Sequence, residues 1–118
     1  MKKKISRNQI QRIYSSGKKI KSEIFILFWE YNSYKTNDSV AIISIPKKNI
    51  NKAVDRNKLK RRIKEILYTK NEIAYSIFNL EISFILIYTK NTVLNFQKIN
   101  KDLVNLFDKL RSKANESI

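Results

Sequence analysis

The segment from Lys47 to Leu67 constrains the fold most tightly, because a basic loop there leads into a helix with one dry face and one densely cationic face. Leu59, Ile63, Ile66 and Leu67 recur at helical spacing and form one apolar stripe, which must lie against a core. Asn57, Lys60, Arg61 and Lys64 fall on the opposite arc, with Arg56, Lys58 and Arg62 flanking it. The helix runs from Val54 to about Thr69, and Asp55 favours its positive N-terminal end. Like charges at i,i+4, such as Lys60 and Lys64, destabilise an isolated helix slightly. Only Asp55 and Glu65 offset them locally, so a polyanion outside the chain is the expected counterpart.

Around this helix the sequence predicts a small sheet and two further helices. Residues from about 6 to 16 read as a helix, with Ser6 as N-cap, Ile10, Ile13 and Tyr14 at i, i+3, i+4 spacing, and Gly17 at a left-handed C-terminal position. Ile24 to Tyr31 reads as a strand, with Ile24, Ile26 and Phe28 on one face and Phe25, Leu27, Trp29 and Tyr31 on the other. Asn32 to Ser39 is a loop, and Val40 to Ile45 a second strand ended by Pro46. Lys47 to Lys52 is a basic loop, and Asn71 to Asn79 a short helix or a loop. Ile82 to Tyr88 is the third strand. An amphipathic helix from roughly Leu94 to Lys113 carries Phe96, Ile99, Leu103, Leu106, Phe107 and Leu110 on its apolar side. The expected architecture is a single α+β domain over residues 1–118, a two-layer sandwich in the order α-β-β-α-β-α.

Charge and absences then bound function. The 118 residues carry 25 Lys and Arg against 10 Asp and Glu, a formal net charge of +15. Solubility needs a charge of only about 2 to 8, so a nucleic acid is the leading partner and an anionic membrane surface the second. The chain has no Cys and no His, which removes thiol chemistry and the commonest general base and metal ligand. One glycine cannot build a glycine-rich phosphate loop. The N-terminus is basic without an apolar stretch behind it, and Ile82 to Tyr88 is too short to span a bilayer. A cytoplasmic location is expected, with no membrane association.

The stretch Ala53-Val54-Asp55-Arg56-Asn57-Lys58-Leu59-Lys60-Arg61-Arg62-Ile63-Lys64-Glu65 resembles the signature of the bacterial ribonuclease P protein component. That signature is an Ala-Val pair, any residue, Arg-Asn, two residues, Lys-Arg, two residues, then a basic residue and an acid or amide. The preceding Ser44-Ile45-Pro46-Lys47-Lys48 is similar to the family's strand ending in a lysine pair. The likeness extends more weakly over nearly the whole chain. It implies the small subunit of a ribozyme whose RNA subunit removes the 5′ leader of precursor tRNA with magnesium, and a left-handed β-α-β crossover around the basic helix. Carried over by motif, Arg56, Asn57, Lys58, Lys60, Arg61 and Lys64 would contact the RNA subunit. Ile10, Tyr14 and Phe28 would line the leader cleft, with Lys47 and Lys48 at its border. Mg2+ would be held mainly by RNA, as its taste for water and phosphate ligands suggests. No obligatory protein partner is implied.

The chain departs from the pattern at four positions. Ile10 stands where an aromatic is common, and Asn51 where Gly is usual, in a loop one residue longer. Lys58 and Lys64 stand where Arg is frequent, keeping charge but losing the planar fork. A structural RNA-binding protein, such as a ribosomal component, explains charge and fold equally well but needs no single-strand cleft. A membrane-surface protein ranks lower, because the apolar stripe is needed by the core. An independent protein enzyme ranks last, because Glu23, Glu30, Asp38, Glu72, Glu81, Asp102 and Asp108 show no ligand-like spacing.

Overall fold

The computed structural model describes residues 7–31, 41–69 and 82–116. In chain order these form α1 (Arg7–Ser16), β1 (Lys18–Lys21), β2 (Phe25–Tyr31), β3 (Ala41–Ser44), α2 (Ala53–Thr69), β4 (Ile82–Tyr88) and α3 (Phe96–Glu116). The sheet order is β1-β2-β4-β3. Strand β2 is antiparallel to β1 and β4, and β3 runs parallel to β4 through the crossover that contains α2. The α+β class and the order of the elements named from sequence hold, with β1 added. The expectations placed on Ser6, on the loop from Asn32 to Ser39 and on Asn71 to Asn79 lie outside the described residues.

Strand β1 escaped the sequence reading because Lys18-Lys19-Ile20-Lys21 has one apolar residue and shows no alternation. It forms through pairing: Lys18 sits opposite Trp29, Lys19 opposite Phe28, Ile20 opposite Leu27 and Lys21 opposite Ile26. Only Ile20 is buried, and lysines on an edge strand oppose pairing with a second chain.

The two faces of the sheet are covered unequally. Phe25, Leu27, Trp29, Ile43, Phe84, Leu86 and Tyr88 point to the face that meets α2 and α3. There they pack with Leu59, Ile63, Ile66 and Leu67 of α2 and Ile99, Leu103, Leu106, Phe107 and Leu110 of α3. Full burial of such side chains is worth about 1.5–3 kcal/mol each. Helix α1 lies on the opposite face, where Ile13 and Ile85 are fully buried outside the main cluster. The sheet with α2 and α3 is the two-layer sandwich, and α1 lies across its second face.

Three expectations need correcting. Ile24, expected in the strand on the face of Ile26 and Phe28, lies in the main core with Phe25 and Leu27, because the chain bends there before the alternation of β2 begins. Phe96, placed on the apolar side of the last helix, is 39% exposed at the residue where that helix begins, while Ile99 is the first of its side chains to be buried. Asn95 caps that start, its Oδ1 accepting from Lys98 N–H at 2.9 Å, while Leu94 packs on the core ahead of the helix. Gly17 is not left-handed, because its φ lies outside the positive region. Crowding demands glycine instead: a Cβ there would stand 2.2 Å from Ile13 O and 3.0 Å from Trp29 O.

Tyr88 joins several elements at one end of the sheet. Its hydroxyl donates to Thr92 O at 2.8 Å and accepts from Leu94 N–H at 3.1 Å, its carbonyl accepts from Asn49 Nδ2 at 3.0 Å, and its ring meets Phe25 edge-on. Burial pushes its phenol above the ordinary tyrosine value, partly opposed by the Leu94 N–H. Because the folded pKa is raised, this group's contribution is complete below about pH 10, the unfolded value, and is lost as pH rises through the folded one. Tyr88→Phe is therefore expected to cost about 1–3 kcal/mol at neutral pH by stranding the Leu94 donor and the Thr92 acceptor. It should also flatten the alkaline end of the stability profile; thermal unfolding from pH 7 to 11 measures both.

Candidate nucleic-acid interface

Helix α2 separates its faces as its spacing predicts. Leu59, Ile63, Ile66 and Leu67 are buried, while Asn57, Lys58, Lys60, Arg61 and Lys64 are exposed. Among the described residues no ion pair joins any of these four cations to a carboxylate. The helix thus presents dense positive charge within about two turns, offset on the helix itself only by Asp55 and Glu65, with each cation able to displace a counterion from a phosphate.

Arg56 braces the loop before the helix. It is half-buried, and its Nη1 donates to Ile50 O at 2.8 Å and Asn51 O at 2.7 Å. These bonds fasten the loop before α2 to the helix's first turn, and Asn49 fastens the same loop to Tyr88 O. Asn51, the residue standing in place of the usual glycine, takes part through its carbonyl alone. Just ahead, Pro46 O accepts from Asn49 N–H and Ile50 N–H, both at 3.0 Å, closing a turn on which Lys47 and Lys48 are exposed. The lysine pair and the basic helix are therefore held in one unit.

The second region is the sheet face under α1. Tyr14 and Phe28 meet edge to face with centroids 5.1 Å apart, Tyr14 being 43% exposed and Phe28 half-buried. Ile10, also half-buried, lies one helical turn before Tyr14. Arg12 anchors the helix to β2 by donating from Nη2 and Nε to the Glu30 carboxylate at 2.8 to 3.2 Å. The Glu30 hydrogen bond, then its charge, hold the Arg12 guanidinium above its ordinary pKa. Strand register puts Lys19, Phe28, Ile85 and Ile42 in one row across this face, and Lys21, Ile26, Ile87 and Ser44 in the next. In that second row Ile26, Ile87 and Ser44 are half-exposed, and β3 leads from it through Ile45 and Pro46 to Lys47. An open, aromatic-edged floor thus runs toward the lysine pair.

Sequence reasoning overlooked Arg12, Lys19 and Lys21. The signal was present only in the register: without β1, nothing placed Lys19 beside Phe28, where its Nζ lies 5.5 Å from the ring centroid. Among the described residues no three acidic, His or Cys side chains converge as a metal cage would require. No described helix is long and apolar enough to cross a membrane.

A cationic helix face and an aromatic-lined sheet face on one small α+β scaffold define a class of protein suited to binding a polyanion. The ribonuclease P family model matches residues 2–111, and the chain belongs to that family. Its members are subunits of an endoribonuclease complex active in tRNA processing, with RNA as partner in a ribonucleoprotein. The fold is similar to the RNase P protein of Staphylococcus aureus, with TM-score 0.73, 23% identity, and 90% of this chain and 92% of that one covered. It is also similar to the RNase P protein from Thermotoga maritima, with TM-score 0.69, 23% identity, and coverage of 92% and 97%. No curated protein matches in sequence.

Proposed function

We propose that this chain is the protein subunit of ribonuclease P, a single RNA-binding domain that binds the catalytic RNA through α2 and the 5′ leader of precursor tRNA through the cleft beneath α1. The observation that carries the reading is the half-open Tyr14–Phe28 pair on the sheet face. A structural RNA-binding protein has no use for such a cleft, whereas a sequence-tolerant single strand stacks well on it. Arg56, Asn57, Lys58, Lys60, Arg61 and Lys64 meet the RNA subunit; Ile10, Tyr14, Phe28, Lys47 and Lys48 border the leader. Arg56 gives one nitrogen to the loop and keeps its remaining donors for RNA. Catalysis belongs to the RNA subunit, and magnesium is held by RNA and substrate phosphates in the cytoplasm, with no obligatory protein partner.

The test is cleavage of a precursor tRNA by the matching RNA subunit at low magnesium, with and without the protein. Restored 5′ maturation supports the subunit assignment; tight RNA binding with unchanged cleavage at every magnesium level overturns it in favour of a structural RNA binder. For the cleft, Phe28→Ala is expected to weaken precursor binding by about 1–3 kcal/mol, the worth of one stacked base, and to leave mature tRNA binding unchanged. Equal losses for both RNAs would remove Phe28 from the leader site.

A further inference from the structure

We propose that β1 is a phosphate rail for the strand held in the cleft, with Lys19 and Lys21 taking neighbouring phosphates while bases stack at Tyr14 and Phe28. The inference rests on the leader-cleft reading and extends it to a strand that the family signature does not include. Alternation along β1 turns Lys19 and Lys21 toward the same face as Phe28 and Ile26, their register partners, and sends Ile20 into the core. Residues two apart on a strand are about 6.5 Å apart, a spacing comparable to that of neighbouring phosphates in an extended single strand. Both lysines are exposed, and no carboxylate among the described residues pairs with either. With Lys47 and Lys48 beyond β3, the half-exposed row from Ile26 to Ser44 has cations past both of its edges, the form of an electrostatic groove around a stacking floor.

Lys19 also has a defined resting place. Its ammonium lies 5.5 Å from the Phe28 centroid, a weak contact to the ring that a stacking base would use. A base arriving on Phe28 displaces that cation, and the strand's own phosphate receives it. Edge protection accounts for lysines anywhere on β1, but it does not require the Lys19 ammonium to sit on the cleft aromatic.

The experiment measures holoenzyme affinity for precursor and mature tRNA across a series of KCl concentrations, for wild type, Lys19→Ala/Lys21→Ala, Lys19→Arg/Lys21→Arg and Phe28→Ala. The double alanine variant is expected to weaken precursor binding roughly 5- to 30-fold near 0.1 M salt and to reduce its salt slope by about 1.4, leaving mature tRNA binding as it was. The double arginine variant should restore the slope. If the alanine variant leaves precursor affinity and slope unchanged while Phe28→Ala removes the precursor preference, the rail is overturned and the cleft stands. If the alanine variant weakens both tRNAs equally, the lysines serve another RNA surface and the rail is again overturned. If Phe28→Ala leaves the precursor preference intact, the cleft reading fails and the rail fails with it.

Discussion

Replacing Lys60, Arg61 and Lys64 together with alanine is expected to lower affinity for the RNA subunit by roughly two to three orders of magnitude near 0.1 M salt. The three side chains are exposed on one arc of α2, directed away from the stripe that meets the core. Each phosphate contact removed takes about 0.9 from the slope of log affinity against log salt, so the slope should fall by about 2 to 3. Folding should be nearly untouched, because exposed substitutions of this kind change stability by about 0.5 kcal/mol or less and this one also relieves the Lys60–Lys64 repulsion. Filter binding over a salt series, beside a thermal melt, separates the two effects. An unchanged slope with an intact fold would mean that α2 faces solvent in the complex.

Gly17→Ala should act on the fold itself. The added methyl would stand 2.2 Å from Ile13 O and 3.0 Å from Trp29 O, and both obstacles are main chain, so no rotamer change relieves them. The same residue closes α1 through its N–H to Ile13 O at 3.0 Å. Either the helix end or the β1–β2 pairing must move, at a cost of about 1–3 kcal/mol, which corresponds to a fall in melting temperature on the order of 5–15 °C. Tyr14 sits in the last turn of α1, so the Tyr14–Phe28 geometry should loosen as well and precursor binding should weaken in step. A variant that melts like the wild type would show that the helix and strand separate freely at this junction.

These two positions show how differently sequence and structure contribute. The basic face of α2 was legible because helical periodicity is local: Leu59, Ile63, Ile66 and Leu67 define the buried stripe, and the cations necessarily take what remains. For the same reason the strands Phe25–Tyr31 and Ile82–Tyr88, dense in branched and aromatic residues, could be read directly, apart from Ile24, expected in the first of them, as could the buried positions of α3 from Ile99 to Leu110. Arg56 was legible as a cation of the motif but not as the fastener of its own loop, since its bonds to Ile50 O and Asn51 O depend on how the chain turns before the helix.

The requirement for glycine at position 17 could be anticipated, but its reason could not. Helix ends commonly call for a left-handed residue, whereas here the space is taken first by the helix's own Ile13 carbonyl and then by that of Trp29, twelve residues further along the chain. Strand β1 was hidden for the same kind of reason. Lys18-Lys19-Ile20-Lys21 has no pattern of its own and becomes a strand only because β2 offers it a ladder. By itself, then, the sequence determined the elements whose burial is periodic, the cationic helix face and the family signature. Tertiary structure alone decided that α1 covers the face opposite α2 and α3, that the Tyr14 and Phe28 rings, expected in one cleft only through the family resemblance, meet edge to face, and that Lys19 and Lys21 border the same floor. Those relations are set by pairing register and by which face each helix covers, and both are contacts between residues distant along the chain.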